Sequence, residues 1–322
     1  MKIYSQAPCR ISLFGGGTDL DPYASKYGGL CINLAVNIRS KFTLFTSNDI
    51  YDPLANSNIP YLGTKKFVHT ILEEFGIGDM HLARFNSEFD GILESGIGSS
   101  ASAAVAILGA INKYQNLKMN QSIIAERAWQ IEVNTLNLFG GKQDQYAAVF
   151  GGMNVMFFTK DGVKIIPFDK QIVEPILSSL VLFYTGFNRK SAKIQEGFKK
   201  LNKDQIWALN YIKRIATLAF EPIEKGDFRK VGALLDEAWE YKKLSNKGIT
   251  NKRIDEIYKY AKDYGAYGGK ILGAGGGGYM LFVVNPEERQ QFINYMAEIE
   301  LEWEDFSPCW NGLEVRVLPL RH

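Results

Sequence analysis

The segment from Gly96 to Ala104, GIGSSASAA, constrains the chain more than any other, because it runs without a break into an apolar stretch, AVAILGAI. Its small residues let a loop backbone approach a bulky group. A helix beginning there presents unpaired N–H groups and a positive dipole end, which suits a phosphate. The same residues would also serve a helix start selected for tight packing. Taken alone, the segment does not separate these readings.

Two other glycine clusters sit beside strand patterns. Gly15-Gly16-Gly17-Thr18-Asp19 closes a turn after RISLF, and Gly273 to Gly278 lies between GGKIL and YMLFVV. Familiar nucleotide motifs do not account for them. A P-loop requires serine or threonine after the lysine, whereas Gly141-Lys142 is followed by Gln143 and Gly269-Lys270 by Ile271. Gly273, Gly275 and Gly278 satisfy G-x-G-x-x-G, but a dinucleotide fold needs that motif to open a helix. A strand pattern follows instead, so the segment reads as a turn between strands.

Alternation and β-branched residues predict strands over RISLF, CINLAVNIRSKFTLFT, MNVMFF, GGKIL, YMLFVV and LEVRVL. Helices are expected over Lys65–Phe75, through the apolar run after Ser100, and from an N-cap at Asn120 to about Leu138, where FGGKQ breaks the pattern. Tyr51 to Pro60 reads as a loop. Four helical patterns fall between Ser191 and Tyr264, and a last one over about Pro286–Ile299. Strands, then helices, then strands again indicate an α+β chain. Its division is expected near residues 160–180, giving domains of residues 1–170 and 171–322.

Thirty-seven basic residues against 35 acidic ones leave a net charge of +2, too little for a whole-protein field toward nucleic acid or an acidic membrane. Any anion site must be local. No apolar run reaches the ~18 residues of a spanning helix, and MKIYSQAPCRISLF lacks the apolar stretch of a signal peptide. A cytoplasmic location is expected. Cys9, Cys31 and Cys309 have no paired spacing, and His69, His81 and His322 form no metal or triad pattern.

Acidic candidates are Glu132 and Asp144. One carboxylate near a metal-bound phosphate and another near an acceptor hydroxyl would meet the needs of phosphoryl transfer. They read equally as a solvated helix residue and a helix cap. Lys142 is close enough in sequence to hold Asp144 ionised if the side chains meet. Arg10 could stabilise phosphoryl charge, and Asp19 could bind sugar hydroxyls or cap the following helix. Arg189, with Lys190 and Lys193, is the candidate for a second anion pocket, or a solvated basic face.

Three ordered motifs, Ala7-Pro8-Cys9-Arg10 through Thr18-Asp19, Gly96 to Ala101, and Lys270 to Gly277, resemble those of the GHMP kinases (galactokinase, homoserine kinase, mevalonate kinase and phosphomevalonate kinase). The likeness runs from about residue 3 to 318. Within the family it is nearest to the heptose-phosphate kinases and next to fucokinase-like sugar 1-kinases, through PCRISLFGGGTDL, GGKQDQYA and YTGFNR.

The resemblance implies an N-terminal ribosomal-protein-S5-like domain with a left-handed crossover and a ferredoxin-like C-terminal domain, with ATP between them. It implies that Gly96, Ile97, Gly98, Ser99, Ser100 and Ala101 hold the nucleotide, Ser100 and Glu132 hold Mg2+, and Asp144 and Arg10 are catalytic. Gly16, Gly17, Thr18, Asp19, Gly141, Lys142, Arg189, Gly275 and Gly276 are expected around the substrate. Galactokinase has Glu-His where this chain has Gly16-Gly17, which opens space for a larger sugar. The family's Pro-x-Gly-x-Gly is replaced by a stretch containing Ile92, Glu94 and Ser95, putting a carboxylate near the expected triphosphate. The implied activity is ATP-dependent phosphorylation of the anomeric hydroxyl of a sugar or sugar phosphate, by a monomer or homodimer. Alternatives are a kinase for mevalonate or homoserine, or a non-catalytic sensor of the same fold. No nucleic-acid or membrane partner is implied.

Overall fold

The computed structural model describes residues 2–45, 65–77, 84–187, 194 and 196–319. Two antiparallel sheets organise it. In the first, strands β1 (Lys2–Phe14), β2 (Gly29–Phe45), β4 (Met153–Thr159), β5 (Gly162–Pro167) and β10 (Glu314–Leu318) lie in the order β10-β1-β2-β4-β5, and β3 (Arg84–Phe89) pairs with β2. The second contains β6 (Leu180–Tyr184), β7 (Gly268–Ile271), β8 (Tyr279–Val283) and β9 (Glu302–Glu304), ordered β7-β8-β6-β9. That order, with helices after β6 and after β8, is the ferredoxin-like β-α-β-β-α-β arrangement.

The closing strand corrects the expected division in one respect. Placed with residues 171–322 by sequence, it returns to the first sheet, where Lys2 faces Leu318 and Gln6 faces Glu314. Long-range pairing of this kind leaves no trace in local periodicity.

Helix α3 (Ser99–Gln115) packs on β1 and β2. Its residues from Ala101 to Ile111 are all buried, which explains why this stretch is apolar all round instead of amphipathic. Together with α2 (Lys65–Glu74), α4 (Gln121–Gln130) and α5 (Gln143–Phe150) it covers one face of the first sheet. The other face carries Ile11, Leu13, Leu34 and Met153 into a core shared with Ile176, Leu182, Ile215, Leu235 and Leu281 of the second half. The halves therefore share one hydrophobic interior around the cleft.

The four expected helices of the second half are α7 (Lys203–Leu218), α8 (Phe220–Glu224), α9 (Phe228–Ser245) and α10 (Lys252–Asp263). They are preceded by α6 (Lys170–Ser179), and α11 (Arg289–Ala297) follows β8. Asn120 caps α4 as expected, its side chain accepting from Ile123 N. The loop expected over Tyr51 to Pro60 lies outside the described residues. Among those described, no helix is long and apolar enough to cross a membrane.

The glycine segments meet backbone to backbone. Tyr279 N donates to Ser95 O at 2.9 Å, and a methyl on Gly273 would stand 2.6 Å from Gly96 Cα. Gly273 also has φ 59°, a region that costs an L-residue about 1–2 kcal/mol before any clash is counted. Gly273→Ala is expected to destabilise the protein by about 2 kcal/mol or more. An unchanged denaturant midpoint would refute this reading of the contact.

Candidate active site

A cleft of about 320 Å³ opens where the three glycine segments meet. Strand alternation sends Cys9, Ile11 and Leu13 into the core and leaves Arg10 and Ser12 facing this cleft. Arg10, 4% exposed, donates from Nε to Asp144 Oδ1 at 2.8 Å and from Nη2 to Asp144 Oδ2 at 2.7 Å. Its Nη1 donates to Gly96 O at 2.8 Å. Asp144 belongs to the first turn of α5 but is not its cap; Lys142 precedes the helix and makes no side-chain cap bond.

The role expected of Lys142 is not the one it has. Its Nζ donates to Glu126 Oε1 at 2.7 Å and lies over the Trp129 ring at 4.2 Å, and the side chain does not line the cleft. Positions two apart at a helix start do not share a face, so the cation on Asp144 comes from β1 instead.

Glu132 lies in a single π-helical turn, Ile131–Thr135, that follows α4 where a continuous α-helix to Leu138 is expected. It is buried, not solvated, and receives hydrogen bonds from Gln145 and Ser100. Burial pushes its carboxyl up to about 7; the two hydrogen bonds oppose that rise and Asp144 adds to it.

Helix α3 begins at Gly98, whose φ of 78° is left-handed and whose N-cap position carries no side-chain cap. A methyl there would stand 3.0 Å from Asp144 Oδ2. The helix start thus meets Glu132 through Ser100 and Asp144 through Gly98. Its residues Gly96, Gly98, Ser99, Ser100 and Ala101 line the cleft, whereas Ile97 is buried in the core and contributes only its carbonyl, to Arg10 N.

Asp19 is drawn into the same cleft and does not cap α1 (Tyr23–Tyr27), which Pro22 precedes. Its carboxylate accepts from Gly17 N at 3.2 Å and from Gln143 N and Nε2, each at 3.3 Å. Gly141 passes so close that an added methyl would overlap Asp19 Oδ2. Burial raises the Asp19 carboxyl, the Asp144 charge raises it further, and the backbone N–H bonds offset part of this.

Gly16, Gly17, Gly141 and Gly275 line the cleft; Thr18 and Gly276 do not. The Thr18 hydroxyl instead ties the turn together by donating to Gly15 O and accepting from Leu30 N. Glu94 lines the cleft with φ 55° and an exposed side chain. Arg189, Lys190 and Lys193 lie outside the described residues.

Ser12, Gln143, Gln145 and Lys270 fall within the motifs of the resemblance but receive no role from the sequence, and Lys242 is not singled out by it. Lys242 donates to Ile271 O at 2.9 Å and Gly273 O at 2.8 Å, and Lys270 to Leu13 O at 3.0 Å. Both ammonium groups are buried in the cleft wall, and burial lowers their pKa. For Lys242 the signal is its place on the helix. Lys242 falls on the buried stripe of α9, in register with Leu235, Ala238 and Ser245.

The Ser100 hydroxyl and the Glu132 carboxylate are adjacent hard oxygen donors, a set that fits Mg2+, which takes few protein ligands and completes its shell with water and phosphate oxygens.

The GHMP kinases N terminal domain family matches residues 64–152, and the GHMP kinases C terminal family matches residues 219–299. The chain is 32% identical to D-glycero-alpha-D-manno-heptose 7-phosphate kinase of Campylobacter jejuni, over 97% of this chain and 98% of that one. It is 28% identical to L-fucokinase/L-fucose-1-P guanylyltransferase of Bacteroides fragilis, over 87% of this chain and 34% of that protein. The crystal structure of a D-glycero-D-manno-heptose 1-phosphate kinase from Bacteriodes thetaiotaomicron superposes with a TM-score of 0.78 at 28% identity, covering 99% of this chain and 100% of the other.

Because the folded protein raises the Asp19 pKa, it prefers the neutral acid. That preference stabilises the fold below the ordinary aspartate range and is lost as pH rises through the raised value. Asp19→Asn should therefore remove the part of the parent's stability that falls as pH rises through the raised value, even though its amide gives up one of the two acceptor oxygens. Identical pH dependence of the denaturation midpoint in parent and variant would contradict the assigned electrostatics.

Proposed function

This chain belongs to the GHMP kinase family as an ATP-dependent sugar kinase, and we propose that it phosphorylates the anomeric hydroxyl of D-glycero-D-manno-heptose 7-phosphate, forming the 1,7-bisphosphate. The observation that carries the site assignment is the contact of one uncapped helix start with two carboxylates, Glu132 through Ser100 and Asp144 through Gly98. The substrate assignment rests on the heptose-phosphate relatives and on the bare Gly16-Gly17 wall of the cleft.

In this reading, the first-turn amides of α3 receive the transferring phosphate, because their N–H dipoles point where negative charge accumulates. Ser100 and Glu132 hold Mg2+, which neutralises phosphate charge when bound. Asp144 accepts the hydrogen bond of the sugar hydroxyl and takes its proton as that oxygen bonds to phosphorus and the bond to the ADP oxygen breaks. Arg10 fixes both oxygens of Asp144, so the carboxylate cannot turn away from the acceptor. Asp19 accepts hydrogen bonds from the sugar's hydroxyls.

Asp144→Asn should fold with reduced stability, because Arg10 loses its charged partner, and lose about 10²–10³ in kcat; turnover like that of the parent would overturn its assignment. For the substrate, ADP release is to be compared among D-glycero-D-manno-heptose 7-phosphate, fucose, mannose, galactose, mevalonate and homoserine. The heptose phosphate should give the highest kcat/KM. Preference for mevalonate or homoserine would replace the sugar reading, and no ADP with any acceptor would favour a sensor.

A further inference from the structure

Gly16 is a glycine whose backbone does not demand one: its φ lies outside the left-handed region, unlike those of Gly15 and Gly17 on either side. What its missing side chain preserves is space. A methyl there would stand 3.1 Å from Ser12 Oγ, 3.9 Å from Gln143 Nε2 and 3.9 Å from Lys270 Nζ. Three polar side chains from three separate segments therefore converge on one point of the cleft wall, and all three line the cleft.

Their hydrogen bonding is incomplete. Ser12 is 3% exposed and Gln143 6% exposed, and Ser12 Oγ and Gln143 Oε1 have no partner among the described residues. Lys270, 4% exposed, gives one of its three protons to Leu13 O. Buried polar atoms in folded proteins are nearly always paired, and exceptions mark places where a ligand or water completes the set. The Gln143 atom nearest this point is Nε2, which donates to Asp19, so the partner missing here is one that accepts from Lys270 and either donates to or accepts from Ser12. A sugar hydroxyl has both capacities.

We infer that Ser12, Gln143 and Lys270 form a subsite, kept open by Gly16, for a secondary ring hydroxyl of the sugar acceptor. Ser12 lies two residues beyond Arg10 on the same face of β1, about 7 Å away, and Asp144 is held at the tip of the Arg10 side chain. With the reacting hydroxyl at Asp144, the subsite's occupant is taken to be a hydroxyl across the pyranose ring, on carbon 3 or 4. The inference rests on the sugar-kinase reading and makes Ser12 and Lys270 specificity-determining residues.

Ser12→Ala separates a binding role from a structural one. If the hydroxyl is only an unpaired buried group, removing it leaves sugar affinity unchanged and stabilises the fold or does nothing. If it binds sugar, the fold is equally stable or more so, but affinity for D-glycero-D-manno-heptose 7-phosphate falls about tenfold by titration calorimetry, with the KM for ATP within twofold of the parent. The 3-deoxy and 4-deoxy analogues complete a cycle. One of them should bind the parent protein about tenfold more weakly than the full sugar, yet bind Ser12→Ala as well as the full sugar does. Gly16→Ala, which fills the subsite without strained φ, should raise the sugar KM at least tenfold and leave the ATP KM unchanged. Lys270→Met is less decisive because it also removes the bond to Leu13 O.

Unchanged sugar affinity in both Ser12→Ala and Gly16→Ala overturns the subsite, as does equal loss with both analogues in parent and variant. If the parent releases ADP with the heptose phosphate while those variants bind it normally, the kinase reading stands and only the subsite falls. If the parent neither binds nor phosphorylates any sugar in the panel, both fall.

Discussion

The bidentate pair between Arg10 and Asp144 is the interaction on which the rest of the cleft depends. Arginine remains charged at any ordinary pH, so a guanidinium this deeply buried must be answered by hydrogen-bond acceptors in fixed positions. Arg10 finds them on α5 and on the loop before α3, while its own backbone N–H goes to Ile97 O. One residue in the middle of β1 thereby locates the start of α3, the start of α5 and the carboxylate between them. Loss of either partner from a buried pair typically costs about 3–5 kcal/mol, because the remaining charge stays unpaired.

Around this pair the protein accumulates groups that burial disfavours. Asp19 and Glu132 are raised, Lys242 and Lys270 lowered, each chiefly because water has been removed from a charge. The shared core beneath the cleft supplies the stability that tolerates them. Such a site is less stable by itself than an apolar one of equal volume. It is also preorganised, since its dipoles and charges need not reorient when a polar ligand arrives. The glycine segments make this density possible. Gly98, Gly141 and Gly273 each admit another group where a methyl would collide.

Local pattern was informative where one physical cause dominates. The apolar run after Ser100, the cap at Asn120 and the alternation of β1, β2, β4 and β8 were readable because burial on one face or all round imposes a period. The weaker elements were not. β3 is RFNSEF and β5 is GVKIIP, short segments with polar residues or poor burial contrast, and their strands exist because β2 and β4 offer edges to pair with. The π-helical turn carrying Glu132 adds a residue to a helical pattern without changing its composition.

Sequence by itself determined that three glycine segments exist, that one opens an apolar helix, and that Arg10, Asp19, Glu132 and Asp144 are available as chemical groups. These are properties of residue type and near-neighbour spacing, which covalent order specifies directly. Only the tertiary structure decided which charges meet. Lys142 is two residues from Asp144 yet pairs with Glu126, while Arg10, 134 positions away, takes the carboxylate. Likewise, the last strand joins the first, and Lys242 and Lys270 enter the cleft wall from the second half. Contacts between distant segments are chosen by how sheets and helices close over a common core, and no short stretch of sequence contains that geometry.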